Sequence, residues 1–93
     1  LPGPGHFFAP VVLTGVPAAA RVMREEIFGP VAPVAAFDSE PEAIALANGT
    51  DAGLAAYVMT ADRARAVRVA GALEAGMVGV NTGRVSCAAA PFG

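Results

Sequence analysis

Ninety-three residues with a net charge of −2, 55% of them hydrophobic and only 15% charged, make at most one domain and leave too little polar side chain to cover a small globule. All six basic residues are arginine, which excludes a lysine Schiff base within the chain; Arg63, Arg65 and Arg68 sit beside Asp62 and Glu74 without interleaved aromatics, as on a solvated helix face rather than a nucleic-acid surface. One cysteine (Cys87) and one histidine (His6) exclude a disulfide framework and a Cys/His zinc site.

The mean hydropathy of +0.56 is high for a small soluble domain. It leads us to expect a piece buried against, or cut from, something larger. The start at Leu1 and the stop at Pro91-Phe92-Gly93 without a capping element point the same way. Apolar runs are broken by Pro, Gly or charge well short of a bilayer span, and the first residues carry no basic signal region. The expected partners therefore include neither membrane nor nucleic acid. An unpaired Cys87 fits a reducing, cytoplasmic compartment.

In chain order, residues 1–5 read as a turn or linker; their Gly3-x-Gly5 is no dinucleotide fingerprint, because no strand precedes it and no third glycine follows. Val11-Val12-Leu13 reads as a short strand closed by Thr14-Gly15. Pro17 opens a helical turn through Met23, where Ala18, Ala19 and Ala20 favour helix. Glu25-Glu26-Ile27-Phe28-Gly29-Pro30 follows, and it is the segment with chemistry in it. In extended backbone Glu26 and Phe28 share a face and Ile27 points behind. A carboxylate accepts hydrogen bonds from paired sugar hydroxyls, and a ring beside it packs on a flat heterocycle. That pair suits a nucleoside. A plainer reading stays open: Glu25 and Glu26 as solvated ends of a helix begun near Ala18, with Phe28 a core anchor.

Val31 to Phe37 reads as a strand, with Pro33 marking an edge or entry position. Ser39 and Glu42 form a capping box, Ser39 as N-cap and Glu42 reaching back, for a helix ending at Asn48-Gly49. Gly53 to Met59 reads as a buried strand. Thr60 is the expected cap of a helix running to about Ala75, with Ala66, Val69, Ala70 and Leu73 on its inner stripe and Gly76 as its stop. Met77 to Asn81 is a last strand, and Thr82 to Gly93 a loop. Strands and helices alternating in this way predict an α/β fold with parallel pairing. Ligands in such sheets sit at the carboxyl ends of strands, where Asn81 and the loop after it fall. Asn48 is at a helix end, where capping is explanation enough.

Read together, Phe7-Phe8-Ala9-Pro10-Val11-Val12-Leu13, Arg24-Glu25-Glu26-Ile27-Phe28-Gly29-Pro30-Val31, Ala47-Asn48-x-Thr50, Gly76-Met77-Val78-Gly79-Val80-Asn81 and Pro91-Phe92-Gly93 resemble the aldehyde dehydrogenase superfamily, along essentially the whole chain. Asn81-Thr82-Gly83-Arg84-Val85-Ser86 resembles, more narrowly, the succinate-semialdehyde dehydrogenases. The resemblance implies that residues 1–93 are the C-terminal part of a catalytic domain, with its nucleotide-binding half absent. It implies a full-length enzyme that oxidises an aldehyde, succinate semialdehyde by the narrower likeness, to its acid with NAD or NADP, and that is a homo-oligomer. Glu26 would hold the nicotinamide-side ribose and Phe28 would pack near the nicotinamide. Ser86 would bind the distal carboxylate of the substrate, Phe92 would lie at the substrate tunnel, and Asn81 would shape the loop leading there. No catalytic residue is expected in this chain: the nucleophilic cysteine that forms the thiohemiacetal and thioester, and the glutamate that activates water, map upstream. Cys87 falls in the substrate loop and is a small structural residue on this reading. Two positions depart from the family pattern the resemblance implies: Arg84 for an aliphatic residue, which leaves it either joining the carboxylate site or facing solvent, and Ala52 for an aromatic, a packing change. Two other readings remain, an aldehyde dehydrogenase of another substrate subfamily and a non-enzymatic α/β binding module.

Overall fold

The computed structural model describes residues 2–93, which divide into two units, one running to Phe37 and the other covering Asp38–Gly93. The first unit is built on two short parallel strands, β1 (Val11–Leu13) and β2 (Val31–Pro33), in register Val11 to Val31. Between them lies one 3-10 turn, Arg21–Met23. The helical turn expected from Pro17 through Met23 is thus present as a single 3-10 turn, preceded by the Ala20 N–H donating to the Pro17 carbonyl at 3.0 Å. Strand β2 is also shorter than expected. Its ladder reaches Pro33, which has no N–H to continue it; beyond it the Val34 N–H donates to the Leu13 carbonyl at 2.7 Å and the Val34 carbonyl accepts from the Val16 N–H at 3.3 Å, on either side of Gly15, whose φ of +62° suits glycine.

The second unit alternates helix and strand: α1 (Glu40–Asn48), β3 (Ala55–Val58), α2 (Arg63–Ala72) and β4 (Met77–Val80). Strands β3 and β4 pair in parallel, Ala55 to Met77 through Val58 to Val80, joined by the α2 crossover. The expected α/β class with parallel pairing holds, but in two two-stranded sheets rather than one. Helix α1 starts as read: Ser39 Oγ accepts from the Glu42 N–H at 3.3 Å. The Glu42 carboxylate reaches back one residue further than a capping box requires, to the Asp38 N–H at 2.8 Å.

Three expectations need correction here. The cap of α2 is Asp62, whose Oδ1 accepts from the Arg65 N–H at 3.0 Å, and not Thr60. Thr60 is held at the end of β3, because both its N–H and its carbonyl are taken by the Asn81 side chain. Gly76 does not end α2. The helix stops at Ala72, and Gly76 instead enters the sheet, donating to the Gly53 carbonyl at 2.8 Å. The run Gly53 to Met59 is a buried strand on neither face: β3 alternates half-buried Ala56 and Val58 with exposed Ala55 and Tyr57, since α2 covers one side only. The inner stripe of α2 is as read, with Ala66 buried and Val69, Ala70 and Leu73 half-buried.

Candidate functional site

The Glu25 to Pro30 segment leaves the 3-10 turn and runs into β2, and its two carboxylates are held in opposite ways. Glu25 is tied down. Arg21 Nε donates to its Oε1 at 2.6 Å and Nη2 to its Oε2 at 2.9 Å, a fork-to-fork pair one helical turn apart. The guanidinium keeps the Glu25 carboxyl below the usual carboxylate range. Glu26 carries no side-chain hydrogen bond or ion pair among the described residues. It is exposed, and Phe28 is 94% exposed, while Ile27 between them is half-buried. Glu26 and Phe28 line one open hollow of about 400 Å³, whose wall also takes in Glu25 with its partner Arg21 and the neighbouring Val22, Ile27 and Gly29. Of the plainer reading, Glu25 does sit as a solvated residue at the end of the turn, its N–H donating to the Arg21 carbonyl at 2.8 Å, but Phe28 anchors no core within the unit.

A free carboxylate and a bare phenyl face on one concave surface can take a ribose and the ring it carries. Arg21 is the residue that sequence reading missed. Its spacing of four from Glu25 was the available signal.

The residues expected on the substrate side lie in the second unit. The chain leaves β4 at Asn81, which adopts φ +51°, a left-handed conformation that asparagine tolerates better than most residues. Its side chain accepts from the Thr60 N–H and donates to the Thr60 carbonyl, both at 2.9 Å, locking the carboxyl ends of β3 and β4 together. Asn48 does the same elsewhere: it donates to the Ala72 carbonyl and accepts from the Glu74 N–H, each at 2.9 Å. Capping of its own helix is therefore not its explanation. It fixes the connection between α2 and β4.

Beyond Asn81, Thr82 Oγ1 accepts from the Arg84 N–H at 3.2 Å, and Val85 turns in on β4. A Cβ on Gly79 would stand 3.0 Å from Val85 Cγ1 and 2.9 Å from Tyr57 Cδ1, so the loop packs where only glycine leaves room. Ser86 and Cys87 are exposed, and the Cys87 thiol is free. The chain then doubles back. Gly93 lies against Gly76, at the amino end of β4, with its carbonyl carbon 2.7 Å from where a Gly76 Cβ would be. Ser86 thus follows Val85, which packs on Gly79 within β4, whereas Phe92 precedes Gly93, which adjoins the amino end of that strand. Phe92 is 65% exposed.

A second hollow of about 610 Å³ opens at the carboxyl ends of β3 and β4, between Thr60, Arg63, Val67, Ala70 and Val80. No group of three or more potential metal ligands occurs among the described residues.

The sequence profile of the aldehyde dehydrogenase family matches residues 2–93. The chain is 55% identical over 98% of its length to the succinate-semialdehyde dehydrogenase of Paenarthrobacter nicotinovorans, of which it spans 20%. It is 53% identical over 96% of its length to the NADP(+) succinate-semialdehyde dehydrogenase of Escherichia coli K12, spanning 18% of that protein. Among solved structures, an indole-3-acetaldehyde dehydrogenase from P. syringae in complex with NAD+ and IAA superposes with a TM-score of 0.84 at 49% identity, over 88% of this chain and 17% of that one. The chain spans about a fifth of the length of the relatives it matches.

Proposed function

This chain belongs to the aldehyde dehydrogenase family, and from that premise we propose that the full-length protein oxidises an aldehyde bearing a distal carboxylate, succinate semialdehyde in the first place, with NAD or NADP. One observation carries the cofactor part of this reading: Glu26 and Phe28 stand free on the same hollow while the neighbouring Glu25 is neutralised by Arg21. The pair fits the nicotinamide end of a dinucleotide. Glu26 accepts from the ribose hydroxyls and so fixes the sugar, and Phe28 offers an apolar face that limits the rotation of the ring above it. When bound, the dinucleotide supplies the hydride acceptor of the oxidation. NAD and NADP present the same end to these two residues, since they differ at the adenine-side ribose. The P. syringae structure holds NAD+, and the E. coli relative is named for NADP(+).

On the substrate side, Ser86 presents a hydroxyl donor in the loop that Asn81 anchors, and two relatives are named for succinate semialdehyde. The hydroxyl binds the distal carboxylate, and Phe92 lines the approach to the reacting carbon. The nucleophilic thiol belongs to a part of the full-length protein outside these residues; Cys87 is not assigned that role. The experiment is a steady-state comparison of the full-length protein on succinate semialdehyde and butanal, followed as dinucleotide reduction. We expect kcat/KM to favour the carboxylated aldehyde by about tenfold or more, as one charge-assisted hydrogen bond allows. Equal values would remove the substrate assignment, and no aldehyde-dependent reduction would remove the enzymatic one.

A further inference from the structure

We propose that Arg84 is a specificity-determining residue, its guanidinium meeting the distal carboxylate of the substrate beside the Ser86 hydroxyl. This rests on the substrate reading above and adds to it a second residue of the same loop. The loop is fixed at three points. Asn81 is locked to Thr60, the Thr82 hydroxyl both accepts from the Arg84 N–H and donates to its carbonyl, and Val85 is turned in on Gly79. No helix or turn interrupts residues 84–86, and Arg84 and Ser86 are exposed on either side of half-buried Val85. Arg84 and Ser86 thus both lie open in one short loop, with Val85 turned in between them, and offer a planar guanidinium and a hydroxyl donor two residues apart.

The charge on Arg84 is available. Arg21 is paired with Glu25, Arg65 and Arg68 are paired with Glu40, and Arg24 donates to the Ala18 carbonyl. The Arg84 guanidinium has no acidic or carbonyl partner among the described residues, and from Ala75 to Gly93 it is the one charged side chain in the sequence. A guanidinium fork accommodates a carboxylate through two parallel hydrogen bonds, which a lysine cannot copy.

The test uses the full-length enzyme with Arg84→Leu, Arg84→Lys and Ser86→Ala, each assayed on succinate semialdehyde and on butanal. Arg84→Leu is expected to raise the KM for succinate semialdehyde about tenfold and that for butanal less than about twofold, with Arg84→Lys recovering part of the loss. Added salt should raise the wild-type KM for the carboxylated substrate more steeply than that of Arg84→Leu. Butanal turnover by the same variants reports that they are folded. An equal KM change on both substrates, or none on either, overturns the proposal. If Ser86→Ala penalises the carboxylated aldehyde while Arg84→Leu does not, the role of Arg84 falls and the substrate reading stands. If the wild-type enzyme shows no preference for the carboxylated aldehyde, both fall.

Discussion

Two adjacent carboxylates, Glu25 and Glu26, differ in use because of one arginine. Arg21 engages both oxygens of Glu25, so that group is spent on holding the turn, and Glu26 keeps its acceptors for a ligand. Phe28 contributes a ring with almost all its surface exposed. Truncating it, Phe28→Ala, should raise the KM for NAD(P) of the full-length enzyme several-fold, roughly what loss of one aromatic contact of about 1 kcal/mol implies, with little change in the KM for aldehyde. An aldehyde KM that moves equally would place the ring elsewhere. Asn81 makes a different prediction. Asn81→Ala loses two hydrogen bonds and strains a left-handed residue, for about 2–3 kcal/mol, whereas Asn81→Gly keeps the backbone free and should cost less. Thermal unfolding of the two full-length variants checks the order, and glycine proving the worse would contradict it. At this scale the sequence was partly legible. The period-two spacing of Glu26 and Phe28 could be read directly, while the purpose of Asn48 could not, because its partners Ala72 and Glu74 are distant in the chain.

Elements followed from local chemistry wherever their ends are set locally. Apolar runs marked all four strands, and Ser39 marked the start of α1. The start of α2 was misread at Thr60, because the competing claim on Thr60 comes from Asn81 on another strand. Likewise Gly76 reads as a helix stop in sequence, and only the return of Gly93 shows why a side chain is excluded there. Packing of β4 on its loop predicts that Gly79→Ala destabilises the full-length protein by about 1–3 kcal/mol, since the added methyl meets Tyr57, Val85 and Thr82 within 3.2 Å; an unchanged melting temperature would show that these side chains give way freely. Helices α1 and α2 are joined by Glu40, which accepts from Arg68 Nη2 at 2.7 Å and Arg65 Nε at 3.2 Å. The hydrogen bond from Arg68 is the main cause that lowers the Glu40 carboxyl below its ordinary 4.5. A depressed carboxyl stabilises the fold above that ordinary value and loses its contribution as pH falls below it. Amide exchange in α1 and α2 should therefore hold steady from neutral pH down to 4.5 and quicken modestly as pH falls below it, after correction for intrinsic exchange, and Glu40→Gln should flatten that dependence. Identical profiles would show that the pair contributes nothing.

On the scale of the whole chain, parallel pairing was legible from alternating helices and continuous apolar strands, but the division into two sheets was not, because nothing local to β2 or β3 says which edges meet. Apolar exposure dominates. Among the described residues Ala66 is the one buried hydrophobic side chain, and Phe7, Phe8, Val12, Phe37, Leu54, Tyr57 and Met59 all lie open. These 93 residues expressed alone should bind a hydrophobic dye and melt without a sharp transition. A cooperative transition would favour a self-sufficient binding module instead. The central claim, that Glu26 and not Glu25 grips the nicotinamide-side ribose, is tested most directly by measuring NAD(P) affinity in full-length Glu26→Gln and Glu25→Gln side by side. The account predicts about a tenfold loss for Glu26→Gln and less than about a twofold change for Glu25→Gln; equal losses, or the reverse order, would contradict it.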